Sequence, residues 1–152
     1  MFTNLILNYY NYSKCNCYVP YKNDIYHWLY MVFFKTNFKK FDITVSIVEK
    51  DTIKKLNNKF LKISKPTNVL CFSLEKNFLK KFFFGEIILC SKIIENESTL
   101  QKKNLKAHWA HIIIHSGLHL LNYNHKNAKE AYIMETKEIK ILKLLGYSNP
   151  YL

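Results

Sequence analysis

The sequence predicts an α+β fold: one domain over residues 1–152, with a small mixed β-sheet packed against several helices. Three observations point to it. Apolar residues alternate with polar ones in short stretches, the mark of half-buried strands. Elsewhere apolar residues recur every three or four positions, the mark of helices with one buried face. Finally, 152 residues of which 49% are hydrophobic and 22% charged suffice for a single core.

Residues 3–10 alternate and read as the first strand. After Pro20, residues 21–36 place Ile25, Trp28, Leu29, Val32 and Phe33 at helical spacing. Phe41, Ile43, Val45 and Ile47 alternate through residues 41–48, a second strand. Asp51 opens a helix reaching Leu61, with Ile53, Leu56 and Phe60 on one face. Pro66-Thr67-Asn68 is a turn, and residues 69–74 form the next strand. The apolar run 82–90 is a fourth strand, interrupted at Gly85-Glu86. One helix then spans about residues 100–121 and another residues 128–145, stopped by Gly146 with Pro150 beyond.

Composition narrows the function classes. Three Gly and three Pro exclude low-complexity and collagen-like chains. No apolar run is long enough to span a bilayer, and residues 1–10 lack the pattern of a signal peptide. The expectation is a soluble, cytoplasmic protein with no membrane partner. The net charge of +12 favours a polyanion, with nucleic acid first. Every basic residue is Lys, and the Lys, Asn, Ile, Phe and Tyr loading is also what A- and T-rich codons produce, so charge alone leaves binding open. Without Arg, phosphates would be held by ammonium point charges instead of bidentate forks. Cys15 and Cys17 sit too close for an easy disulfide, Cys71 and Cys90 are solitary, and reduced thiols are expected throughout.

The histidines carry most information. Five of six fall between positions 108 and 125. His115 and His119, four apart, project from one helix face about a turn apart and can close on one metal ion. Asn122 stands where a left-handed residue would end the helix, and His125 beyond the bend can reach the same ion. Three neutral imidazoles suit Zn²⁺ with a fourth position left for water. His108 and His111 lie on nearly the same face and are expected beside the ligands, not among them. Ser116 follows His115 where a zinc peptidase would carry its Glu base, so the spacing is protease-like and the chemistry is not.

The stretch from His115 to His125 resembles the His-Gly-x-Leu-His-Leu-x-Gly-Tyr-Asp-His signature of the YbeY family, zinc-dependent endoribonucleases that mature ribosomal RNA. Pro66-Thr67-Asn68-Val69-Leu70-Cys71-Phe72 is similar to its Pro-Thr-Asn-Val-Leu-Ser-Phe strand, and Gly85-Glu86-Ile87 to its Gly-Asp-Ile. Trp109-Ala110-His111, Leu144-Leu145-Gly146 and Pro150-Tyr151 match as well, so the likeness covers roughly residues 42–151. It implies a zincin-like metal helix within the α+β domain and one Zn²⁺ held by His115, His119 and His125. It also implies single-strand-specific cleavage in late 16S rRNA 3′-end maturation and ribosome quality control. The implied partners are pre-rRNA, the small ribosomal subunit and its assembly factors.

Glu86 is a candidate proton acceptor for that chemistry, a plain structural Glu being the other reading. Lys59, Lys62 and Lys65 precede the strand at residues 69–74 and are candidates to track an RNA backbone. Ser116 and Asn122 replace the signature's two Gly, and Asn124 its Asp. Leu61 stands where the family carries an Arg, and an apolar side chain cannot hold a phosphate. A weakened nuclease is therefore expected, and Leu61 keeps a second class open: a non-catalytic, zinc-containing ribosome-assembly factor that binds pre-rRNA.

Overall fold

The computed structural model describes residues 3–74 and 81–152. Met1 and Phe2, part of the stretch read as lacking a leader, lie outside the described residues. The elements run β1 (Asn4–Asn11), α1 (Lys22–Phe33), β2 (Lys40–Ile47), α2 (Lys50–Leu61), β3 (Val69–Ser73), β4 (Phe82–Leu89), α3 (Ser91–Leu100), α4 (Leu105–Leu120) and α5 (Ala128–Leu144). The sheet is mixed, in the order β1-β2-β4-β3. The first three strands are parallel, and β3 runs antiparallel along the outer edge of β4.

Strand alternation divides the sheet into two faces. Leu5, Leu7, Phe41, Ile43, Val45, Ile47, Phe83, Ile87 and Leu89 point to one face and meet α1 and α4 in the main core. At the edge of that core the Phe33 and Phe41 rings stack with centroids 4.1 Å apart. On the other face a smaller cluster of Val48, Leu70, Ile88 and Cys90 closes over Ile53 of α2.

Helix α4 is the central post. Trp109, Ile112, Ile113, Ile114, Leu118 and Leu120 are all buried, each fully buried aliphatic side chain contributing about 1.5–3 kcal/mol. A Cβ at Gly117 would lie 3.2 Å from Val32 Cγ1 and 3.3 Å from Leu29 Cδ2, so its absence lets α4 seat directly on α1. Gly85 plays the same part in β4: a Cβ there would lie 3.0 Å from Leu120 Cδ1. Gly85-Glu86 therefore does not interrupt the strand, which runs unbroken from Phe82 to Leu89.

Two further expectations change. The helix expected over residues 100–121 is α4, which starts only at Leu105, and a helix the sequence reading did not expect, α3, precedes it over Ser91–Leu100. Lys102 takes a left-handed φ of 53°, and the Asn104 side chain then accepts from the Ala107 amide to cap α4. Ile94 anchors α3 in the core. The Cys15 and Cys17 sulfurs, expected as separate thiols, are placed as a bonded pair. The Cys15 amide donates to Ser13 Oγ in a tight turn that brings the two Cα atoms to 5.2 Å.

Candidate metal centre

His108, His111, His115 and His119 share one stripe of α4, at intervals of three and four residues. The opposite side of α4 is core, which fixes the helix rotation and turns this stripe outward toward β3 and the C-terminal residues. His108 is buried, His111 and His115 half-buried, and His119 exposed. The His115 and His119 rings lie nearly parallel with centroids 6.5 Å apart.

Helix α4 stops abruptly. The Asn122 amide donates to the His119 carbonyl and the Tyr123 amide to the Leu118 carbonyl, the paired bonds of a Schellman ending. Asn122 carries the left-handed φ of 70° that the motif requires, as its position in the sequence suggested. The chain reverses, and His125 comes back over the helix. Its ring centroid lies 5.3 Å from that of His115 and 6.5 Å from that of His119. The three rings thus lie on the two sides of one bend, with centroids 5.3–6.5 Å apart. Burial and then the neighbouring His115 charge hold the His119 pKa below its usual value, with the Tyr123 backbone working against them.

A carboxylate not singled out from the sequence completes the cluster. Glu138 of α5 is fully buried, with Oε1 bonded to His115 Nδ1 and Oε2 accepting from His111 Nε2 at 2.9 Å and from the Tyr151 hydroxyl. Burial alone would raise its pKa, but the contacts with His111, His115 and Tyr151 outweigh it and hold the carboxyl down to about 2. Among the described residues it is the ligand atoms of His111, His115 and Glu138 that all lie within 4.8 Å of one another, so this group, sharing only His115 with the expected set, could hold a metal ion. A signal for Glu138 was present: it falls between Met134 and Leu142 at four-residue spacing, a charge on the buried stripe of α5.

Beside His115 a groove of ≈ 280 Å³ opens between α4 and the start of β3, walled by Asn68, Val69, Glu97, His108 and Tyr151. Glu97 accepts from Asn68 Nδ2 at 3.1 Å and pairs with His108 Nε2 at 3.1 Å. Burial raises the Glu97 pKa, but its contacts with His108 and Asn68 outweigh this and leave it below the ordinary value.

The other expected site residues are not brought to the histidines. Glu86 pairs with Phe72 and Thr44 on the α2 face of the sheet, whereas its neighbour Gly85 faces Leu120 of α4. Strand alternation therefore carries Glu86 away from the cluster. Lys59, Lys62 and Lys65 are exposed at the end of α2 and in the loop to β3. Lys59 Nζ lies 5.3 Å from the Phe60 ring centre, and Lys62 ends the helix with a left-handed φ of 59°. Leu61 is 53% exposed. Ser116 is buried beneath β3 with its hydroxyl donating to the Ile112 carbonyl at 2.7 Å, so the peptidase-base position is core.

A sequence profile described as Endoribonuclease YbeY matches residues 10–146. A protein named Endoribonuclease YbeY from Wigglesworthia glossinidia brevipalpis is 46% identical over 127 residues, 82% of each chain. One of the same name from Buchnera aphidicola subsp. Acyrthosiphon pisum is 43% identical over 152 residues, 98% of this chain and 96% of its own. The solution structure of a Thermotoga maritima protein is similar at a TM-score of 0.53 and 19% identity, covering 93% of this chain and 92% of that one, a likeness of fold. With the profile spanning most of its length and relatives this similar over nearly all of it, the chain belongs to the endoribonuclease YbeY family.

Proposed function

We propose that this chain is a zinc-dependent endoribonuclease that cuts single-stranded RNA. Its place would be in cytoplasmic ribosomal RNA processing, at the late 16S rRNA 3′ end and in ribosome quality control, beside the small ribosomal subunit and its assembly factors. The observation that carries the reading is the triangle of His115, His119 and His125 rings, with centroids 5.3–6.5 Å apart. Ring nitrogens about 2.0–2.1 Å from a tetrahedral ion place ring centres roughly 5–6 Å apart. The His115–His125 pair has that spacing at 5.3 Å, and His119, 6.5 Å from both, would close in on the ion to complete the set. An all-imidazole donor set with exposed His119 on its rim also fits a zinc site that keeps a position open.

The chemistry zinc supplies in such a place is Lewis acidity toward a phosphoryl oxygen and a bound water of pKa near about 7. The chain supplies the rest. His115, His119 and His125 would hold the ion, and the groove along Asn68 and Val69 would receive the ribose–phosphate backbone at its side. Lys59, Lys62 and Lys65 give a salt-dependent, sequence-independent attraction to RNA. Glu86, on the far face of the sheet, is assigned no step.

Exposed Leu61 supports a second reading, an assembly factor that binds pre-rRNA without cutting it. Incubation with single-stranded RNA, with and without a chelator, separates the two when run beside elemental analysis for zinc. Cleavage that the chelator and His115→Ala both abolish supports the enzyme. Tight binding with one zinc per chain and no cleavage above a nuclease-free control supports the assembly factor.

A further inference from the structure

We infer that Glu138 is the positioning residue of this metal centre: it fixes the His115 ring in the tautomer whose Nε2 is left for the ion, and is itself held by His111 and Tyr151. The inference rests on the metal reading above.

Glu138 is fully buried, and a carboxylate out of water costs several kcal/mol unless its oxygens are satisfied. Among the described residues no lysine pairs with it; its partners are two imidazoles and a phenol. A carboxylate only accepts, so His115 Nδ1 must carry the hydrogen of their bond. In a neutral ring Nε2 then keeps its lone pair, and it is the only His115 nitrogen free to ligate. His111 Nε2 and the Tyr151 hydroxyl both donate to Oε2, which locks the carboxylate plane and leaves Oε1 to His115. The order of support runs from His111 and Tyr151 to Glu138, from Glu138 to His115, and from His115 to the ion. Partners of this kind orient a ligand and raise its basicity, and their loss weakens metal binding about 10–100-fold.

The competing arrangement has Glu138 itself as a ligand with His111 and His115. It would strip the hydrogen from His115 Nδ1 and break contacts that both Glu138 oxygens already make. The two arrangements use opposite nitrogens of one ring, so they predict different losses.

The test measures zinc affinity by competition with a chromophoric chelator, the cobalt(II) absorption spectrum, and the thermal midpoint of metal-free protein. Wild type is compared with Glu138→Gln, His111→Gln, Tyr151→Phe and His119→Ala. The expected result is a 10–100-fold weaker affinity in Glu138→Gln with the tetrahedral cobalt spectrum retained, and a smaller loss in Tyr151→Phe. His119→Ala should lose the tetrahedral spectrum. Should Glu138→Gln fail to fold, His111→Gln and Tyr151→Phe carry the test, and wild-type affinity in both overturns the proposal. A Glu138→Gln that lowers only the metal-free midpoint and leaves affinity intact marks a structural carboxylate and also overturns it. If Glu138→Gln abolishes binding while His119→Ala spares it, both this inference and the three-histidine site fall. A His119→Ala loss with Glu138→Gln unchanged removes the inference alone.

Discussion

The Tyr123 amide donates to the Leu118 carbonyl at 3.1 Å, and this bond fixes where the chain turns back after α4. Everything His125 can do depends on it. The turn in turn needs Asn122 at a φ of 70°, a conformation that costs most L-residues roughly 1–2 kcal/mol and Asn less. Asn122→Ala is expected to lower stability by about 1 kcal/mol and to weaken metal binding by loosening His125, while Asn122→Gly keeps both. Chemical denaturation and the chelator competition together check it; wild-type metal affinity in Asn122→Ala would detach the turn from the site.

What could be read in advance followed the reach of the signal. The bend at Asn122 and the spacing of His115 and His119 are set by a few consecutive residues, so local rules suffice. The buried face of α1 followed for the same reason: Ile25, Trp28, Leu29, Val32 and Phe33 are all buried as their period demands. Gly85 looked like an interruption because its use, the close approach of Leu120, depends on a residue 35 positions away. Glu138 is harder still. Its partners come from α4 and from Tyr151, and only its place on an apolar stripe hints at burial. The start of α4 was set about five residues early because Asn104 caps it through Ala107 without a following Glu or Gln to mark it.

The Glu97 carboxyl sits below its ordinary value of 4.5, so the unfolded chain binds its proton more readily than the folded one. The stability from its contacts with Asn68 and His108 is present above pH 4.5 and is lost as pH falls through the folded-state value. Glu97→Gln is accordingly expected to be less stable than wild type at pH 7 and to approach it in acid. Urea midpoints at several pH values read this directly; parallel curves for the two proteins would remove Glu97 from the acid response.

Burial pushes the Cys71 thiol up to about 11, with the Ser116 side chain pulling weakly the other way. At pH 8 on the order of 0.1% of such a thiol is thiolate, and the thiolate is the reactive form. Iodoacetamide at pH 8 should therefore label Cys71 at least about a hundredfold more slowly in native protein than in urea. Mass spectrometry of timed aliquots gives both rates; comparable rates would mean that β3 opens readily, since Cys71 lies between β4 and α4.

Leu61 offers a gain-of-function test. Its side chain is 53% exposed on the last turn of α2, so a larger polar group there meets little packing cost, within about 0.5 kcal/mol. A guanidinium at that place brings the fork geometry that the all-lysine surface lacks, suited to two phosphate oxygens at once. If the chain is a nuclease limited by phosphate stabilisation, Leu61→Arg should raise kcat/KM on single-stranded RNA about tenfold, equivalent to about 1.4 kcal/mol of transition-state stabilisation. Leu61→Lys should give less, because one ammonium cannot grip two oxygens, and zinc content should stay at the wild-type level in both. Tighter RNA binding in Leu61→Arg with no change in turnover would place this residue in docking alone and favour the assembly-factor reading.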